Sequence, residues 1–119
     1  MVRYFTVREA EEVVTLIKPI LGGLVKLYRL GLYDDAKAQL RWLIRAAALN
    51  GFKIVNPRLG ILHFPTIYRG LYSAYLCYMY GEEHVAHWHR ANSSIRLRII
   101  DSGDFENGVN VSGVGRKVY

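Results

Sequence analysis

Residues 60–89 read GILHFPTIYRGLYSAYLCYMYGEEHVAHWH, and this stretch decides the fold. Ile61 to Phe64 forms a strand pattern that Pro65 is expected to stop, because proline cannot donate to a ladder. Arg69-Gly70 marks a turn. Leu71 to Tyr80 follows as the longest strand, rich in tyrosine, a residue suited to a half-buried pleated surface. Gly81-Glu82-Glu83 turns the chain again, and His84 to His89 returns antiparallel. The stretch therefore predicts a three-stranded meander. It also carries all four histidines and the single cysteine, Cys77.

Upstream, Phe52 to Val55 is a short strand, followed by a turn over residues 56–60. Two helices come before it. Thr6 and Glu9 have the spacing of a capping box, in which each side chain satisfies the other residue's backbone N–H. Val7, Ala10, Val13, Val14, Ile17, Leu21, Leu24 and Tyr28 then recur at three and four, placing one apolar stripe on a long helix. Pro19 inside it predicts a kink near Thr15 to Pro19. Gly31 is the expected stop. Asp34 or Asp35 starts a second helix, whose buried face is Ala36, Leu40, Leu43, Ile44 and Ala47 and which ends at Asn50-Gly51. The short link predicts an antiparallel helical hairpin.

Downstream, Ile95 to Ile100 offers a further strand, with Arg96 and Arg98 on one face. Asn107-Gly108 has the composition of a two-residue hairpin turn. The expected architecture is α+β: an N-terminal helical hairpin packed on a small antiparallel sheet of three to five strands. Residues 1–100 make one domain, and residues 101–119 a glycine-rich tail or hairpin.

A chain of 119 residues buries enough surface for one core without staples. One cysteine excludes an internal disulfide framework and fits a reducing compartment. Met1 leads into no charged-then-apolar leader, and the longest charge-free run, Gly70 to Gly81, is far shorter than a bilayer span. A cytoplasmic protein without a membrane segment is the expectation. The net charge is +6, and residues 37–98 hold nine Lys or Arg against Glu82 and Glu83 alone. Such a balance attracts polyanions, although on a small domain it more often serves solubility.

Two parts of the chain resemble a known family. Tyr4-Phe5-Thr6-Val7-Arg8-Glu9-Ala10, with Lys18-Pro19 after it, is similar to the opening of domain-of-unknown-function family 2203, small bacterial and archaeal proteins. Leu59-Gly60-Ile61-Leu62, Phe64-Pro65, Tyr75-Leu76-Cys77-Tyr78, Gly81-Glu82 and Trp88-His89 follow that family's second half in order. The resemblance covers about residues 3–25 and 51–90. His63 stands where the family usually has aspartate, and Tyr78 where it has tryptophan. The family's Gly-Phe-x-Gly-Arg segment after Trp-His is missing, and Ser93-Ser94-Ile95-Arg96-Leu97-Arg98 takes its place. The resemblance implies the fold and transfers no reaction, because the family has no agreed role.

Three function classes follow from the residues. The first helix has apolar residues off its main stripe, namely Leu16, Ile20, Val25 and Leu27. A helix apolar on more than one face must bury both, and a second copy of the chain is a natural cover. The preferred reading is thus a non-enzymatic binding or assembly module, homodimeric through the N-terminal helix. Next is a nucleic-acid binder using the stripe Lys37, Arg41 and Arg45 beside Trp42, together with Arg96 and Arg98; against it stand the commoner solvated helix face and the lack of a recognised module. Third is a metal protein using His63, His87 and His89. His87 and His89 share a strand face, imidazoles are good zinc ligands, and Cys77 or Glu83 completes the set. Satisfied polar contacts at a sheet edge are the commoner fate of such histidines, with a backbone carbonyl the expected partner of a buried His89. No cofactor is required by the first two readings; the third takes a metal ion such as zinc, with copper and nickel as the other ions imidazoles hold well. No catalytic signature is present, and Cys77 in an apolar strand reads as a small hydrophobe rather than a nucleophile.

Overall fold

A computed structural model describes residues 2–106. Helix α1 (Val7–Arg29) and helix α2 (Tyr33–Asn50) precede a sheet of β1 (Lys53–Asn56), β2 (Ile61–Tyr68), β3 (Tyr72–Met79), β4 (His87–Arg90) and β5 (Leu97–Arg98). The strands pair antiparallel in chain order. This is the α+β arrangement expected. The turn at Asn107-Gly108 lies outside the described residues.

The capping box forms as read: the Glu9 N–H donates to Thr6 Oγ1 at 3.1 Å, and the Thr6 N–H donates to Glu9 Oε1 at 2.9 Å. The helix runs through Pro19 without a break. Proline has no N–H for the Thr15 carbonyl, but both residues are exposed, so water can replace the missing donor. α2 ends on Gly51 at φ 85°, the left-handed conformation in which glycine carries no Cβ penalty. Ala36, Leu43 and Ala47 are its buried line; Ile44, expected there, lies one step round the helix and is half exposed.

The four off-stripe residues of α1 divide. Val25 is buried by its own chain and Leu27 packs against the core, whereas Leu16 and Ile20 face outward. The adjacent glycines divide as well. A Cβ on Gly22 would sit 2.6 Å from the Tyr80 hydroxyl, so this glycine admits the tyrosine ring. Gly23 has nothing within 4 Å. Gly23→Ala therefore raises stability by about 0.5–1 kcal/mol, through helix propensity alone, in urea unfolding.

Strand β2 corrects the expected stop at Pro65, because it continues to Tyr68. In an antiparallel strand the N–H and C=O of one residue point to the same side. The Pro65 carbonyl accepts from the Phe5 N–H at 2.7 Å, so the absent N–H also faces the chain's opening segment. No β2–β3 ladder bond is lost, and this is where a strand tolerates proline. The Thr66 hydroxyl closes the same junction by donating to the Phe5 carbonyl at 2.6 Å.

One sheet face carries Leu62, Phe64, Leu76, Tyr78 and Trp88 into a common core with Leu21, Leu24 and Leu43 of the helices. Phe64 stands 5.1 Å from the rings of both Phe5 and Phe52. Residues Ser102–Phe105 make a 3-10 turn, and Phe105 inserts beside Trp88 and Tyr68. The segment read as a strand over residues 95–100 pairs only at Leu97 and Arg98. No helix of the described residues lies on the other sheet face, which carries His63, His87 and His89.

Candidate functional site

Register fixes what meets on that second face. His63 on β2 pairs with Cys77 on β3, and Cys77 pairs with His87 on β4. His89 pairs with Tyr75, the next position on the same face. His89 is therefore diagonal to Cys77, within reach of long side chains. The rings lean together: His63 and His89 have centroids 4.7 Å apart. One ring nitrogen each from His63 and His89 and the Cys77 sulfur lie within 4.8 Å of one another. Tyr75 packs against both rings, with centroids at 5.5 and 5.4 Å.

The buried His89 has the carbonyl partner expected of it. Its Nδ1 lies 2.8 Å from the Arg90 carbonyl oxygen. A carbonyl only accepts, so Nδ1 bears the proton and, in the neutral ring, Nε2 presents a lone pair. A backbone carbonyl on the far nitrogen is a common orienting contact for a metal-binding histidine.

The other two histidines go elsewhere. His84 is exposed, with Nδ1 3.2 Å from Glu11 Oε2, and the second oxygen of Glu11 accepts from the Val85 N–H at 3.0 Å. His87 points to the same face as His63 but turns to Glu82, with Nδ1 3.3 Å from Oε2 and outside hydrogen-bond geometry. Glu82 also accepts from the Met79 N–H at 2.7 Å and faces Arg96 Nη2 at 3.4 and 3.5 Å. The fold thus supplies carboxylates to His84 and His87, where no such partner is expected from the sequence, and gives His63 and His89 the thiol. Cys77, named only as a possible completion, is the third member of the cluster; Glu83 is exposed and not part of it.

Burial shapes the electrostatics. Desolvation pushes the Cys77 thiol up to about 11, while the neighbouring Arg96 charge and hydrogen bond pull the other way. A thiol in that state is neutral at pH 7 and a poor nucleophile. Desolvation, together with the charges of His89, Arg96 and Lys53, lowers His63 to about 4. The unfolded chain therefore takes up a proton at His63 at higher pH than the folded, metal-free chain. The stability this neutral ring confers is complete above about 6.5 and is lost as pH falls toward 4. The thermal midpoint of metal-free protein should decline across that window, and His63→Gln should flatten the decline.

A cavity of about 500 Å³ opens beside the cluster, with His63, His89, Asn92, Ser93, Ser94 and Arg96 as its polar lining. The basic residues of the nucleic-acid reading do not share one surface. Lys37, Arg41 and Arg45 are exposed on α2, whereas Arg96 stands beside Cys77 on the face away from the helices, and Arg98 pairs with His87. No helix of the described residues is long and apolar enough to cross a membrane.

No curated protein and no solved structure matches this chain. One family does match, described as "Uncharacterized conserved protein (DUF2203)", over residues 28–99. That span takes in α2 and all five strands, hence every member of the His63–Cys77–His89 cluster. It leaves out the opening Tyr4–Ala10 segment on which part of the resemblance rested. The match covers more than half of the 119 residues, and the chain belongs to this uncharacterised family.

Proposed function

We propose that the protein binds a zinc-class divalent ion through His63, Cys77 and His89, on the sheet face opposite the helices. The observation that carries this reading is the convergence of two imidazoles and one thiol within 4.8 Å on three adjacent strands. Zinc–nitrogen bonds of about 2.0–2.1 Å and a zinc–sulfur bond of about 2.3 Å need only a small inward movement of these side chains. Nitrogen with thiolate sulfur is a set zinc prefers to magnesium or calcium, which favour oxygen. The Arg90 carbonyl on His89 supports it, because it leaves the opposite nitrogen free. Three protein ligands leave a fourth position open, as in catalytic rather than structural zinc sites. A bound ion there would supply Lewis acidity; the residues themselves would hold it and exclude water from the Cys77 side.

Elemental analysis of purified protein, followed by zinc titration of stripped protein, tests this. One equivalent per chain is expected; no uptake at micromolar zinc overturns it.

A separate observation favours a second reading, a homodimer through the N-terminal helix. Leu16 is 77 % exposed and Trp42 is 56 % exposed, and Ile20, Leu27 and Trp42 border a groove on the outside of the helical hairpin. Surfaces of this kind are commonly covered by a partner. Light scattering across a concentration series tests it: a dimer mass is expected, and a monomer throughout overturns it.

A further inference from the structure

We infer that the open metal position and Arg96 together bind a small oxyanion ligand, a carboxylate or phosphate, with one oxygen on the ion and another on the guanidinium. The inference rests on the metal reading above and gives it a ligand class. Two neutral imidazoles and one thiolate neutralise only one of the two charges of a divalent ion, so the open position favours an anion. The cavity beside it points the same way, because among the described residues no aspartate or glutamate lines it. Lys53 and Arg96 both place positive charge at His63.

Arg96 is built into the wall rather than left to wander. Its side chain is 39 % exposed, and Nη2 faces both oxygens of Glu82. Glu82 is in turn anchored by the Met79 N–H and backed by His87. A guanidinium has five N–H donors. Both contacts with Glu82 come from Nη2, while the same guanidinium also meets the Cys77 thiol and Arg96 lines the cavity, so its other donors are not taken up by Glu82. Arginine forks match carboxylate and phosphate oxygens two at a time, which a lysine cannot do. Ser93, which also lines the cavity, accepts from the Ile95 N–H at 3.1 Å through Oγ and keeps a hydroxyl proton to donate.

The test uses the full chain loaded with cobalt(II), whose visible absorption reports its coordination shell. Inorganic phosphate and acetate are titrated separately at constant ionic strength held by perchlorate. Saturable spectral changes at millimolar anion are expected with at least one probe. Arg96→Met should keep one cobalt per chain and weaken that anion about tenfold or more, and Arg96→Lys should recover part of the loss. A loaded protein whose spectrum ignores both anions overturns this inference alone, as does an Arg96→Met variant of unchanged anion affinity. A chain that takes up no cobalt overturns the metal reading and this inference with it.

Discussion

Cys77→Ala lowers zinc affinity by more than about 100-fold, since even outer partners of metal ligands are worth about 10–100-fold. The sulfur would be the one anionic ligand in the proposed set, and it sits between the two rings on the central strand. His63→Ala and His89→Ala should fall in the same direction. His87→Ala is the informative control. It shares the face but is turned to Glu82, so zinc affinity should stay nearly unchanged. Calorimetry adds a signature that a surface site would not give. The Cys77 thiol is pushed up to about 11, so zinc must displace its proton at pH 7, and the measured heat should vary with the buffer's ionisation enthalpy. Far-UV circular dichroism of each variant checks that loss of binding is not loss of fold.

Gly60→Ala destabilises by about 2–5 kcal/mol, from two sources that act together. Gly60 has φ 67°, which costs an L-residue about 1–2 kcal/mol. Its added Cβ would lie 2.7 Å from Tyr80 Cβ and 3.0 Å from Val25 Cγ2, and overpacking of that kind adds about 1–3 kcal/mol. Tyr80 Cβ is fixed to its backbone and cannot swing away. The clash occurs where α1 crosses the start of β2, so relief requires moving a helix against the sheet. Gly81→Ala separates the two sources. Gly81 has φ 103° but nothing within 4 Å, so only backbone strain applies and the smaller loss is expected. Thermal unfolding should show Gly60→Ala lower in midpoint by about 8 °C or more, at roughly 4 °C per kcal/mol for a domain of this size.

The parts of the fold legible in the sequence are those set by local rules. The capping box at Thr6, the stripe along α1, Gly51 and the meander all follow from spacing and turn residues within short windows. Pro65 misleads because its effect depends on a long-range neighbour. Only the docking of Phe5 on the outer side of β2 shows that no donor is missed there. Ile95–Ile100 reads as a strand by alternation, yet only Leu97 and Arg98 form ladder pairs with β4, with one further bond from the Ile99 N–H to the Ala86 carbonyl.

The site shows the same division. Alternation tells that His87 and His89 share a face, and they do. It does not tell which of them meets His63, because that depends on register between three strands, and a slip of one residue would send every side chain to the opposite face. Half of the answer was within reach. The loop over residues 69–71 pairs Tyr68 with Tyr72, and counting back five residues on each strand sets His63 opposite Cys77. The other half, the lean of His63 toward His89 rather than His87, is decided by Glu82 competing for His87 from the β3–β4 turn. That competition has no signature in the local sequence.

Two imidazoles and one thiolate are proposed to share one ion. X-ray absorption at the zinc edge of the loaded protein measures this directly. One sulfur at about 2.3 Å and two imidazole nitrogens at about 2.0–2.1 Å are expected, with a light atom completing the shell. A shell of nitrogen and oxygen alone, with no sulfur scatterer, would contradict it.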